Sequence, residues 1–283
     1  MNCVSSGGYY STLCNDKKKL YKPKDSKTSK RLQKRMKLMY GQTDESTRSG
    51  VEGYFYKDKF ALGDAKKGQL LKLERRVTFG AAKKTYSTDS PIIGFGIRKD
   101  KTTGTLVYEQ AFKEGLFDRP IFTLFLKKCK NRRPKCMHGG TLTLGAHDKK
   151  NCGKVEGWTP TFTYGGPWQF KLSKIKVGGY TFRRPTTAAS DSGSPMLHLP
   201  PKVVKRIARE LDATFQGEYY MIRCSKKFVV KLTINEKIYE IQKDAMTFDM
   251  GNGRCLLFIA ESDENFILLG DFKNKRIGFA LPK

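Results

Sequence analysis

Ala188-Ala189-Ser190-Asp191-Ser192-Gly193-Ser194-Pro195 is the stretch on which the reading of this chain turns. Two small residues lead into an aspartate that is followed at once by a hydroxyl, a glycine and a second hydroxyl. Glycine lets the backbone turn tightly there. A carboxylate on such a turn is oriented by backbone N–H groups and by the hydroxyls of Ser192 and Ser194, hydrogen bonds that also tune its acidity. By composition alone Asp-Ser-Gly-Ser is an ordinary solvated turn, which is its commoner occurrence. The segments on either side choose between the two.

Downstream, after Pro200 and Pro201, Val204, Ile207, Ala208, Leu211 and Phe215 recur at helical spacing opposite Lys205, Arg206, Arg209 and Glu210, which predicts an amphipathic helix. Elsewhere the period is that of strands. Phe122, Leu124 and Leu126 alternate with Thr123, Phe125 and Lys127, and Trp168, Phe170 and Leu172 alternate with Gln169, Lys171 and Ser173. Phe228, Val230, Leu232 and Ile234 do the same, then Asn235 and Glu236 offer turn chemistry before Ile238, Tyr239 and Ile241, so this stretch predicts a hairpin. Many short strands with one or two helices predict a mostly β protein of sandwich or barrel type.

The chain's 283 residues are enough for two domains, and 38% hydrophobic residues exclude a wholly disordered polymer. Lys and Arg number 55 against 27 Asp and Glu, a formal charge of +28 that suits polyanions, anionic membrane surfaces or acidic substrates. Lys17, Lys18, Lys19, Lys22, Lys24, Lys27, Lys30, Arg31, Lys34, Arg35 and Lys37 crowd into one segment that only Asp16 and Asp25 offset. Such a block is expected to lie in solvent as loop or frayed helix. Without interleaved aromatics it is not expected to form a stacking platform, and no nucleic-acid-binding motif is present, so no specific nucleic acid is expected as a partner. No apolar run reaches the length of a membrane helix, and the first thirty residues lack the apolar core of a signal peptide.

Taken in order along the chain, these segments resemble the pepsin family of aspartic endopeptidases, the pepsin and cathepsin D type. The approach to Asp191 and the Asp-Ser-Gly-Ser itself look like the family's second catalytic loop. Ile267-Leu268-Leu269-Gly270-Asp271 looks like the hydrophobic-hydrophobic-glycine segment that packs against that loop, and Ile277-Gly278-Phe279-Ala280 resembles the closing strand. Tyr40-Gly41, a polar stretch and Gly50-Val51-Glu52-Gly53 resemble the flap hairpin whose tyrosine leans over bound peptide. Asp89-Ser90-Pro91-Ile92-Ile93-Gly94-Phe95-Gly96 is similar to the first-lobe hydrophobic-glycine segment. Leu116-Phe117 with Ile121-Phe122, Gly140 to Gly145, Trp158-Thr159-Pro160 and Trp168-Gln169-Phe170 resemble the run that crosses between the lobes.

The resemblance implies a bilobal, mostly β fold with an incomplete N-terminal lobe over 1–150, flap included, and a C-terminal lobe over 151–283 that carries the Asp191 loop. It implies an aspartic-type endopeptidase, monomeric, taking extended peptide or protein substrates, with water as nucleophile and with neither cofactor nor metal. Cys224 and Cys255 stand where the family closes a loop in its second lobe, and Cys3 and Cys14 resemble the small loop after the first catalytic aspartate. Disulfides would place the protein in a secretory, extracellular or lysosomal compartment. Seven cysteines leave at least one unpaired. Cys129, Cys136 and Cys152 have no family counterpart. With His138 among them a zinc set can be drawn, but no Cys-x-x-Cys pair supports it, and a disulfide plus a free thiol is expected.

Two departures qualify the resemblance. The family's first Asp-Thr-Gly-Ser stands upstream of the Cys3-like cysteine, where this chain begins, so the first catalytic aspartate is expected to be absent. Neither Asp64 nor Asp271 has the Asp-hydroxyl-Gly order. After Asp271 the chain also runs almost directly into Phe272-Lys273-Asn274-Lys275-Arg276, where the family inserts a helix and a strand. These gaps predict an incomplete or inactive form. The alternative they raise is a non-catalytic pseudoprotease that binds peptides or polyanions through its basic surface.

Overall fold

The structure is a computed structural model that describes residues 2–4, 21–40, 49–64, 68–86, 91–97, 104–126, 140–162, 166–194, 196–262 and 266–269. Strands dominate, as the alternating patterns predict. The chain divides into two compact units, Met1–Asp118 and Arg119–Lys283. The division falls earlier than the expected 150. The hairpin of 122–126 and 140–144 belongs with the second unit, where the Phe122 ring meets the edge of Trp168 at 6.0 Å.

In the first unit β1 (Asn2–Val4), β2 (Lys30–Tyr40), β3 (Ser49–Asp58), β4 (Ala61–Asp64), β5 (Gln69–Lys72) and β6 (Val77–Tyr86) precede a helix, α1 (Val107–Lys113). Four of the strands form a sheet in the order β1-β6-β3-β2. Helix α1 buries Val107 and Ala111 against Leu73 and Val77. Lys17, Lys18 and Lys19 lie outside the described residues, and Lys22, Lys24 and Lys27 are exposed in the turns before β2 as expected, but contrary to the expectation of a loop Lys30, Arg31, Lys34, Arg35 and Lys37 lie in a strand. Edge position explains this: β2 needs only β3 as a partner, buries Met36, and turns its cations to water, as edge strands commonly do. Aromatics also meet the basic segment after all. Tyr21 sits inside it with its ring edge-on to Tyr56 and Phe79, and Tyr54 and Phe55 come from the neighbouring strand.

The turns that precede β2 are tied to the end of β3 by a buried carboxylate. Asp58 accepts hydrogen bonds from Tyr21 Oη at 2.7 Å, Ser26 Oγ at 3.0 Å, Thr28 Oγ1 and the Lys59 N–H at 2.8 Å. Burial by itself would raise its pKa, but these donors outweigh burial and bring it down to about 2. The network therefore contributes stability that is present above the ordinary carboxylate value of 3.8 and is lost as pH falls through about 2. Asp58→Ala is expected to destabilise the first unit by about 2 kcal/mol, since it strands three hydroxyls and an N–H. Urea denaturation at pH 6 checks this; at pH 2 the difference between Asp58→Ala and the parent should have shrunk.

The second unit carries β7 (Phe122–Leu126), β8 (Gly140–Leu144), β9 (Trp168–Val177), β10 (Tyr180–Phe182), β11 (Thr186–Ser190) and β12 (Leu197–Leu199), then α2 (Pro201–Glu210). It continues with β13 (Thr214–Gln216), β14 (Tyr219–Arg223), β15 (Val229–Ile234), β16 (Lys237–Gln242), a one-turn helix α3 (Lys243–Met246), β17 (Thr247–Gly251), β18 (Arg254–Leu257), β19 (Ile259–Glu261) and β20 (Ile267–Leu269). The main sheet runs β16-β15-β9-β11-β20-β12-β19, with β10 paired to β9, and a smaller sheet runs β13-β14-β18-β17.

Trp168, Phe170 and Leu172 are buried at every second residue, and then the parity changes to Ile175 and Val177. A bulge causes the change. Val230 and Leu232 of β15 face Val177 and Ile175, but Ile234 faces Leu172, so β9 spends one extra residue and brings the other parity to the core. The predicted β15–β16 hairpin forms on Asn235 and Glu236, whose φ of 46° and 66° are those of a two-residue turn matched to strand twist.

Two sequence expectations fail locally. Helix α2 buries Val204, Ile207 and Ala208, but it stops at Glu210 because Asp212 takes a left-handed φ of 53°. Phe215 accordingly lies in β13, 61% exposed. In β7 and β8, Leu124 and Leu142 face each other across the hairpin yet remain 41% and 38% exposed, so this strand pair has no deeply buried face. No helix among the described residues is long and apolar enough to cross a membrane.

Candidate active site around Asp191

The loop at Asp191 is built by two strands that do not touch and a third that separates them. Strand β11 ends at Ser190, the chain turns at 192–193, and β12 begins at Leu197. Between them lies β20, parallel to β11 (Ala188 opposite Ile267, Ser190 opposite Leu269) and antiparallel to β12 (Leu197 opposite Leu269). Ala188 and Ala189 are fully buried, and their small side chains fit a strand flanked on both sides, by β9 and by β20. The hydrophobic segment 267–269 thus packs into the loop as the resemblance implies. Gly270, Asp271 and 277–280 lie outside the described residues.

Backbone donors hold the aspartate. Its own N–H donates to the Leu269 carbonyl at 3.0 Å, which carries the β11–β20 register one residue further. The Gly193 N–H donates to Asp191 Oδ1 at 2.8 Å, and the Ser194 N–H to the Asp191 carbonyl at 3.3 Å. A Cβ on Gly193 would stand 3.1 Å from Asp191 Oδ1, so glycine is what lets the backbone come close enough to donate. Asp191 stays partly exposed, and its carboxylate is oriented without being sealed from water.

The two serines differ from expectation. Ser192 is exposed. Ser194 is buried, and its hydroxyl turns away from the carboxylate to pair with His198 Nε2 at 2.9 Å and to reach the Met196 carbonyl and N–H, each at 3.3 Å. Orientation of Asp191 therefore rests on backbone N–H groups, while Ser194 fastens the turn to β12.

His198 is the site residue that sequence reading missed. Leu197 and Leu199 are fully buried, so the residue between them takes the opposite side of β12. Burial lowers the His198 pKa, and the Asp191 charge opposes that shift without cancelling it. A histidine four residues beyond Ser194, at the outward parity of a Leu-His-Leu strand, was the available signal.

The remaining site residues separate by unit. Tyr40 closes β2 and pairs with Ser49 of β3. Gly41 and the rest of the hairpin tip lie outside the described residues. The other hydrophobic-glycine segment differs from β20: Ile92 and Ile93 are 64% and 39% exposed in a stretch without strand. No pair of strands flanks it among the described residues, so its apolar side chains have no slot to fill. Phe95 beyond them does pack, stacked on Tyr108 at 5.4 Å.

Cys224 and Cys255 are bonded, S–S 2.07 Å. Asp249 brings a carboxylate to within 4.8 Å of both sulfurs, but sulfurs committed to each other offer no thiolate to a metal. Cys3 lies in β1, Cys14 lies outside the described residues, and so do Cys129, Cys136 and His138. Cys152 is a free thiol.

A family model described as eukaryotic aspartyl protease matches residues 3–276. Aspartic protease 6 of Caenorhabditis elegans is 30% identical over 190 residues, covering 60% of this chain and 48% of its own length. Aspartic protease 2 of Necator americanus is 25% identical over 292 residues, 95% of this chain and 66% of its own length. Rhizopuspepsin of Rhizopus chinensis is 26% identical over 280 residues, 95% and 67%. The chain therefore spans between about half and two thirds of these relatives.

Proposed function

The chain belongs to the eukaryotic aspartyl protease family, and on that premise we propose that it is an aspartic-type endopeptidase in which Asp191 is one of the two carboxylates that activate water. The observation that carries this reading is the threaded loop, in which β20 is inserted between β11 and β12 and the Gly193 N–H holds Asp191 Oδ1. In the reaction one aspartate accepts a proton from the water held between the pair while the other donates toward the scissile carbonyl. Asp191 fills one of these roles. The β2–β3 hairpin, with Tyr40 near its tip, is the flap that closes over an extended peptide, and units 1 and 2 are the two lobes.

The Asp-hydroxyl-Gly order occurs once in the 283 residues. Two roles need two carboxylates, so the chain by itself is an incomplete catalyst that acts when a second such turn joins it. The disulfide supports a secretory, extracellular or lysosomal location. Acid-pH hydrolysis of a mixed peptide substrate, with and without a transition-state-like aspartic protease inhibitor, tests the reading. The 283-residue chain should show no inhibitor-sensitive turnover, and joining it to a lobe segment that carries Asp-Thr-Gly-Ser should produce it. Inhibitor-sensitive turnover by the unjoined monomer would mean that the second carboxylate has been misplaced. A folded but inert joined form would sink the peptidase reading in favour of a non-catalytic binding protein.

A further inference from the structure

Strands β2, β3 and β6 together carry Lys30, Arg31, Lys34, Arg35, Lys37, Lys57, Lys83 and Lys84 against two acids, Glu52 and Asp58. Asp58 is buried and saturated with donors. Glu52 lies 3.4 Å from Lys37 Nζ. Around Tyr54, buried Met36 and Phe55 mark the inner face of this sheet, whereas toward the Asp58 end the Tyr54 side is covered, with Asp58 and Val77 buried and the Tyr21 ring against Tyr56 and Phe79. The opposite parity puts Arg35 and Lys37 outward beside Tyr54, directly across from Arg35. Arg31 joins them with its guanidinium 3.7 Å from the centre of the Tyr54 ring, and Lys83, the extra residue where the β3–β6 register shifts, brings its ammonium to 5.1 Å of the same ring. The tyrosine holds two cations at fixed positions on the outer face, which lowers the entropy lost when they meet an anion.

From this we propose that the outer face of β2, β3 and β6 binds a linear sulfated polysaccharide. Arg31 and Lys37 pair with Tyr56 and Glu52, four residues apart on β3, so the outward cations of β2 extend as a stripe over about 13 Å at roughly 3.3 Å per residue, and Lys83 and Lys84 widen the cluster across β6, which suits a chain of repeated charges better than a single anion. Two observations favour a sulfated glycan over single-stranded nucleic acid. Arg31 already covers the Tyr54 ring, so a base has no open aromatic face there on which to stack. The Cys224–Cys255 bond belongs to oxidising compartments, where sulfated polysaccharides are the prevalent linear polyanions. Binding here is independent of the peptidase reading, because it is measured without turnover.

The test uses heparin as the sulfated probe, titrated into the full 283-residue chain at several salt concentrations. The variant Arg31→Gln/Arg35→Gln/Lys83→Gln should bind at least tenfold more weakly at moderate salt, with a salt slope shallower by about one for each cation removed. A control, Lys202→Gln/Lys205→Gln/Arg209→Gln, removes the same charge from exposed positions on α2 and should bind nearly as the parent does. Desulfated heparin should bind poorly to all three proteins. Equal weakening by the control would show that diffuse net charge, and not this stripe, does the binding. Single-stranded DNA of matched charge that bound as tightly, with the same loss in the stripe variant, would overturn the glycan assignment. Circular dichroism and melting curves verify that both triple variants fold, and a stripe variant that did not would be replaced by Arg35→Gln alone, with about one unit of slope as the readout.

Discussion

Replacing Asp191 by asparagine is expected to lower inhibitor-sensitive peptide hydrolysis by about 10²–10⁴-fold, the range for removal of a positioned proton-transfer group, in any form of the protein that turns over. The fold should survive the change. The amide oxygen still accepts the Gly193 N–H that now goes to Oδ1 at 2.8 Å, and the Asp191 N–H still reaches the Leu269 carbonyl. What the amide cannot do is accept a proton from water or share one with a second carboxylate. A second readout follows from His198, whose pKa the Asp191 charge raises against the larger lowering by burial. In Asp191→Asn that support is gone, so the His198 ring should titrate lower still by NMR. Unchanged turnover with an intact melting curve would remove Asp191 from the chemistry. An unchanged His198 titration would show that the two groups do not face each other in solution.

The same histidine sets a pH dependence on the second unit. A folded-state pKa below the unfolded 6.5 means that the unfolded chain takes the proton first as pH falls. Stability is then complete above 6.5 and declines below it toward the folded value. Acid conditions thus weaken the second unit at His198, whereas Asp58 keeps stabilising the first unit until pH approaches about 2.

Loss of the Cys224–Cys255 bond is expected to destabilise the second unit by roughly 3–4 kcal/mol, the chain-entropy value for a loop with a sequence separation of 31. For a unit of this size that corresponds to a fall of roughly 10 °C in melting temperature. The bond ties the end of β14 to β18, which pair directly through Ile222 and Cys255, and Cys255 is buried in the core while Cys224 packs at its margin. Cys224→Ala/Cys255→Ala is the informative variant, because serine at 255 would add an unsatisfied hydroxyl to an apolar site. Calorimetry of the parent with and without reductant, beside this variant, checks the size. A melting temperature that reductant leaves in place, with both thiols alkylated in peptide maps, would contradict it.

What could be read from sequence was local. The β15–β16 hairpin is written in alternating apolar residues around Asn235 and Glu236, the apolar face of α2 in the spacing of Val204, Ile207 and Ala208, and the Asp191 turn in glycine two residues after a carboxylate. Each depends on residues a few positions apart, whose backbone preferences and side-chain period act before any distant contact forms. Family resemblance extended this to the hydrophobic segment 267–269 and to the pairing of Cys224 with Cys255.

Tertiary structure decided the rest. Ala188 meets Ile267 across nearly eighty residues of chain, and nothing in the spacing of either segment states that β20 should pass between β11 and β12. The bulge that reverses parity in β9 appears only when β15 is laid beside it. Ser194 turns to His198, and not to the carboxylate two residues before its neighbour Gly193, because β12 brings an imidazole within 2.9 Å. The part of the basic run from Lys30 to Lys37 became a strand for the same kind of reason: charge repulsion in an isolated segment favours solvent, but pairing with β3, burial of Met36 and the ring of Tyr54 beneath Arg31 outweigh it. Composition and period thus determined that this chain is mostly β, and the family resemblance singled out Asp191, while the neighbours of that aspartate and the outer face of the basic strand were set by hydrogen bonds and packing between segments far apart in sequence.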